Sequence, residues 1–154
     1  MHVIIATDGS KQSLHAARYL RSTLDPDTIS SIGVLAVTSP LAAVPFAADA
    51  DEGRKGIEEL SFRTAAEKAT AEIAAVLADW GPKVTQQIRS GSPAAEIVKA
   101  AKTKDAGLIV VASSSSRAGA VLMGSVAHRV LNLATCPVLV WRPGAKPKKR
   151  GAKS

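Results

Sequence analysis

The sequence predicts an α/β fold, a single open parallel sheet with helices on both faces, and three observations lead to it. Short apolar runs alternate with segments of helical period in the order β-α-β-α-β-α-β-α-β, which gives parallel strands joined by right-handed crossovers. The runs are continuously apolar, as in strands covered on both faces. A length of 154 residues is one domain's worth, enough to bury a single core without disulfides or metal.

Val3-Ile4-Ile5-Ala6 is the first strand, punctuated by Asp8-Gly9-Ser10. Ser10 is placed to N-cap a helix whose apolar face is Leu14, Ala17, Tyr19 and Leu20, ended by Asp25-Pro26-Asp27. Ile32 to Val37 reads as the second strand, and Thr38 to Gly56 as a long surface loop. Ile57, Leu60, Ala65, Ala69, Ile73, Val76, Leu77 and Trp80 recur at helical spacing up to the stop Gly81-Pro82. Val84, Gln86 and Ile88 suggest a short, less buried strand. Gly91-Ser92-Pro93 then combines a turn, an N-cap and a first-turn proline for a helix reaching about Lys104, with Ile97, Val98 and Ala101 inward. Gly107 to Ala112 is the most apolar strand. After a serine-rich stretch, Val126, Val130 and Leu133 mark a helix to Ala134, and Pro137 to Trp141 gives the fifth strand. Residues 1–143 form the domain, and 144–154 read as a disordered basic tail.

Composition narrows the function. Aromatics are 3% of residues, too few for a base-stacking nucleic-acid surface. Of the formal charge of +7, the tail supplies five, at Lys146, Lys148, Lys149, Arg150 and Lys153, so the body carries only +2. Salt-dependent nucleic-acid binding through that tail is the rival to a merely solvated end. Cys136 is the only cysteine, which excludes an internal disulfide and a cysteine zinc cluster. No run approaches the roughly 20 apolar residues of a membrane span, and the N-terminus lacks a signal-peptide pattern. The expectation is a cytoplasmic protein without membrane insertion.

In an open α/β sheet, ligands bind beyond the carboxyl ends of strands whose connections leave to opposite faces. Thr7-Asp8-Gly9-Ser10 puts a carboxylate at the tip of the first strand, and Ala112 to Ser125 carries small hydroxyl residues into a helix N-terminus. Free N–H groups and a dipole worth about half a positive charge make such a terminus an anion site. Together these loops predict a pocket for a phosphorylated nucleoside. Each residue also has a plainer reading. Asp8 could orient the first helix, Gly124-Ser125 could be only a turn and N-cap, and the serines only a loop. His128 reads as an exposed helical histidine and Cys136 as a core residue.

Val3 to Ser10, Gly91-Ser92-Pro93-Ala94-Ala95-Glu96-Ile97-Val98, Gly124-Ser125-Val126-Ala127-His128-Arg129-Val130-Leu131 and Cys136-Pro137-Val138-Leu139-Val140, in that order, resemble the universal stress proteins over residues 1 to about 143. The resemblance implies a Rossmann-like sheet of strand order 3-2-1-4-5 and a homodimer formed through the last strand, Pro137 to Trp141. It also implies ATP, with Mg²⁺ as the phosphates' counterion, held by a first-strand aspartate and by Gly-x-x-Gly, nine residues, then Gly-Ser or Gly-Thr. On this sequence Asp8 matches the aspartate, with Ala6 and Thr7 on the same side, and Val37 matches the position whose backbone meets adenine. Gly124 and Ser125, followed by Val126, match the closing pair. The glycine motif departs: Ala112 stands at the first glycine, serine replaces the second, and eight residues separate Ser115 from Gly124. The one-residue shortening leaves Ser114 and Ser115 as alternatives for the second position. Ser113 to Ser116 offer hydroxyl donors in place of glycine backbone, so the phosphate site is assigned to Ala112, Ser113, Ser114, Ser115, Gly124, Ser125 and Val126.

The resulting expectation is an ATP-binding module or regulator of stress physiology. Its rival is a family member that has lost ATP and acts through dimerisation and contacts with protein partners. Neither a P-loop, nor a Gly-x-Ser-x-Gly elbow, nor His-Glu-x-x-His occurs in the sequence, which leaves at most a slow ATPase.

Overall fold

The computed structural model describes residues 1–38, 52–113 and 124–144, with backbone alone for 52–59. Five strands, β1 (His2–Thr7), β2 (Ser31–Thr38), β3 (Lys83–Ser90), β4 (Ala106–Ala112) and β5 (Val138–Trp141), form one sheet in the order β3-β2-β1-β4-β5. Every pair is parallel, with Ile5 opposite Val34 on one side and Val110 on the other. The helices are α1 (Lys11–Thr23), α2 (Glu52–Leu77), α3 (Pro93–Thr103) and α4 (Ser125–Leu133). A short 3-10 turn at Pro26–Thr28, not foreseen from sequence, joins α1 to β2.

Alternation along the strands divides the apolar residues between two cores. Val3, Ile5, Val34 and Val110 face α1 and α2, where Leu20, Ile73 and Leu77 close over them. Ile4, Leu35, Ile109 and Val111 face α3 and α4, meeting Ile97, Val98, Ala127 and Val130. The central strands are thus covered on both sides, as their unbroken apolar runs require. Cys136 is half-buried against the second core.

Several expectations are corrected. The region read as a loop through Gly56 is already helical from Glu52. Gly53 and Gly56 each cost only about 1 kcal/mol in a helix, and Glu52, Arg54, Lys55 and Glu58 around them are good helix formers. The same helix stops at Leu77, three residues short of Trp80, whose N–H bonds the Leu77 carbonyl in a closing turn at 3.2 Å. Its inward face is Ala66, Ala69, Thr70, Ile73 and Leu77, while Leu60 is 65% exposed and Ala65 is also exposed. In α4 the inward residues are Ala127 and Val130; Val126 is 37% and Leu133 45% exposed. Around α1, Ser13 and Ala16 are buried with Ala17 and Leu20, and Leu14 and Tyr19 sit at the margin. The basic tail lies outside the described residues, as do Ser114 and Ser115.

Candidate functional site

The sheet has one switch point. The chain leaves β1 into α1 on one face and leaves β4 into α4 on the other, so a cleft opens between neighbouring tips. Pairing of β1 with β4 ends at Ile5 and Val110, whereas β1 continues to Thr7 and β4 to Ala112. The gap beyond that last pair is a cavity of about 160 Å³. Ala6, Thr7 and Asp8 line it from β1, Val37 from β2, Ala112 from β4, and Gly124, Ser125 and Val126 from the start of α4. Ser113 does not line it. Its side chain is buried, and its N–H donates to the Trp141 carbonyl at 2.8 Å, tying the end of β4 to β5.

Asp8 is held by its own loop. Its Oδ1 accepts the Ser10 N–H at 2.9 Å and the Ser13 hydroxyl at 2.8 Å. Ser10 Oγ in turn accepts the Ser13 N–H at 3.2 Å and is the N-cap of α1. Gly9 makes the turn with φ +81°, a conformation that favours glycine. Partial burial pushes the Asp8 carboxyl upward, but the hydrogen bonds from Ser10 and Ser13 outweigh it and hold the group below the ordinary carboxylate value. Asp8 is therefore ionised at neutral pH and purely an acceptor, with the Ser10 N–H and the Ser13 hydroxyl both bound at Oδ1.

The tip of β2 offers a second acceptor. The Thr38 carbonyl takes the Gly91 N–H at 2.9 Å and so faces β3. Backbone groups of the preceding residue point the other way along a strand, which turns the Val37 carbonyl toward β1. Gly9, which would continue that ladder, donates instead to Thr7 Oγ1 at 3.1 Å, and the Val37 carbonyl is left at the cavity.

At the opposite wall, α4 begins with Gly124 as N-cap and has no side-chain capping bond. Ser125 is the first helical residue, and its side chain stays exposed. Free N–H groups and the positive end of the helix dipole meet there. His128 is exposed one turn on, 3.3 Å from Asn132, as its plainer reading expected. Among the described residues no three His, Cys, Asp or Glu side chains gather to hold a metal ion.

The wall also includes Ser13, Leu35, Pro93, Ile97, Val111 and Ala127, which the sequence did not assign to the site. Pro93 and Ile97 carry the legible signal, since both belong to the first turns of a helix whose inward face periodicity identifies. That helix is anchored by Arg89 and Glu96, 3.2 Å apart. Gly91, with φ +144°, lets the chain enter it, because a Cβ there would stand 3.1 Å from Glu96.

The sequence profile of the Universal stress protein family matches residues 1–142. Universal stress protein MJ0531 of Methanocaldococcus jannaschii is 35% identical over 151 residues, covering 96% of this chain and 83% of the relative. Universal stress protein YxiE of Bacillus subtilis is 34% identical over 152 residues, covering 91% and 97%. Among solved structures, hypothetical protein MJ0577 superposes with a TM-score of 0.76 at 24% identity, covering 94% of this chain and 97% of that one. A universal stress protein in complex with cAMP gives 0.60 at 21% identity over 91% and 94%. One from Archaeoglobus fulgidus in complex with dAMP gives 0.59 at 22% over 92% and 97%. No helix among the described residues is long and apolar enough to cross a membrane. By sequence profile and by relatives matched along nearly the whole of its length, the chain belongs to the universal stress protein family.

Proposed function

We propose that this protein binds an adenine nucleotide, ATP among them, at the switch-point cavity and acts as a nucleotide-responsive module in stress physiology. The observation that carries the reading is the opposition of acceptors and donors across one cavity: Asp8 and the Val37 carbonyl on one wall, the glycine-capped N-terminus of α4 on the other. An acceptor-only carboxylate matches ribose hydroxyls and repels phosphate, whereas the helix N-terminus attracts phosphate. A backbone carbonyl accepts the exocyclic amine of adenine, and Leu35, Val111 and Ile97 supply aliphatic walls for its faces. The ligand's polarity is thereby fixed, base and sugar toward β1 and β2, phosphate toward Gly124 and Ser125. Relatives of the same fold in complex with cAMP and dAMP support the adenine class. Mg²⁺, when it accompanies the ligand, is held by the phosphates.

Titration calorimetry with ATP and AMP tests the reading. The expected result is saturable binding by the parent and a loss of about ten-fold or more in Asp8→Ala, the worth of a charged hydrogen bond. No heat and no nucleotide co-purifying with the parent would overturn it.

A dimer through β5 is the second part of the proposal. β5 pairs with β4 on one side only, Val138, Leu139 and Val140 are half-buried, and an edge of that kind favours pairing with another chain. Light scattering should give twice the chain mass; a monomer at tens of micromolar overturns it.

A further inference from the structure

A second cavity, of about 440 Å³, lies on the other side of the β1 and β2 tips, between them and α2. It shares Thr7, Asp8 and Val37 with the first, so one extended ligand bridging Asp8 could enter both. Its volume falls within the roughly 300–1,000 Å³ of small-molecule sites, and the first cavity's does not. Its far wall carries Phe62, 44% exposed, an aromatic that stands in the middle of a helix and outside the loops where a sequence reading looks for a pocket. Lys68 is the basic residue among the described lining residues, and Glu72 lies a turn further along α2. Neither makes an ion pair with another described residue.

An aromatic face at Phe62, hydrogen-bonding capacity at both signs of charge, and the Lys68 cation beside the shared wall match a second nucleoside with a bridging phosphate. We propose that the second cavity is the subsite for the second nucleoside of a 3′→5′-linked dinucleotide whose first nucleoside occupies the switch-point cavity. The inference rests on the nucleotide reading above. Asp8 accepts the free 2′-hydroxyl of the first ribose, and the 3′-oxygen directs the phosphodiester to Lys68, whose ammonium offsets the repulsion from the Asp8 carboxylate. The second base then stacks on Phe62, with Glu72 accepting from its amino group.

Affinities of the full chain for AMP and for 5′-phosphoadenylyl-(3′→5′)-adenosine separate this subsite from the first. The dinucleotide is expected to bind about ten-fold or more tightly than AMP, the worth of one stacked base. Phe62→Ala and, separately, Lys68→Ala should remove that advantage while leaving AMP binding unchanged. Both side chains are solvent-accessible, so the folded chain should tolerate either change, and an unchanged AMP affinity verifies it. Equal affinity of the parent for the two ligands, or an advantage that survives Phe62→Ala, overturns the second subsite and leaves the nucleotide reading standing. Failure of both ligands to bind overturns the two together.

Discussion

The two strand-to-helix connections that face each other across the cavity carry the same dipeptide, Gly9-Ser10 and Gly124-Ser125, displaced by one residue relative to the helix that follows. After β1, glycine makes the turn and serine is the N-cap, so the hydroxyl serves its own helix by accepting the Ser13 N–H. After β4, glycine is the N-cap and serine the first helical residue, and among the described residues no side chain closes the terminus. The first connection spends its polar groups on itself: Asp8, Ser10 and Ser13 form a closed set of hydrogen bonds, and the Thr7 hydroxyl accepts the Gly9 N–H. The second has no such bond among the described residues. A one-residue shift of an identical motif thus distinguishes a loop that fixes a carboxylate from a loop that can receive an anion.

Breaking the closed set should have the largest effect on stability. Ser13 is 3% exposed and donates to Asp8, so Ser13→Ala leaves a partly buried carboxylate short of a donor. The expected loss is about 1–3 kcal/mol, read as a fall in melting temperature of roughly 2–4 °C per kcal/mol for a domain of this size. Ser10→Ala removes the N-cap and should cost about 1 kcal/mol. Ser125→Ala, the same substitution one register over, removes no capping bond and should change stability by less than about 0.5 kcal/mol while weakening nucleotide binding in calorimetry. If Ser10→Ala and Ser125→Ala lower the melting temperature equally, the contrast between the connections is wrong.

Which connection was which could be read only partly from the sequence. The order of elements was legible because each central strand is an unbroken apolar run, and Ser10 as a cap followed from its place before a periodic segment. Gly124-Ser125 allowed either register, since glycine and serine are both accepted at an N-cap and the ten residues before it, rich in serine, glycine and alanine, gave no phase. The faces of α2 and α4 were misjudged for a related reason. Counting apolar residues assumes that they point to the core, but Val126 lines the cavity, while Leu60 and Leu133 lie exposed at the surface. Phe62 escaped notice because the helix carrying it was expected to matter for packing alone. Its neighbourhood with Asp8 is set by the crossover from β2 to β3, which a linear reading does not contain.

The smallest effect sharpens the comparison from the side of charge. The hydrogen bonds that close the first connection lower the Asp8 carboxyl below its ordinary value of 3.8. A carboxyl lowered on folding contributes stability that is complete above its unfolded value and is lost as pH falls through the lower folded one. The loss specific to this loop therefore begins only below about pH 3.8, and it is modest because Asp8 is partly exposed and screened by solvent. His2, at the opposite end of β1, acts in a separate window. Burial, then Lys104 and the N-terminal amine, lower it from 6.5, so its contribution is complete above that value and declines as pH falls through the lowered one. Between pH 7 and 4.5 the parent and Asp8→Asn should consequently lose stability in parallel, offset by a constant amount. Below pH 3.8 the two denaturation curves should converge, because protonation removes from the parent what the substitution has already removed. Curves that stayed parallel down to pH 2.5 would show that the Asp8 charge contributes nothing to the closed loop, and that its fixed geometry rests on Ser10 and Ser13 alone.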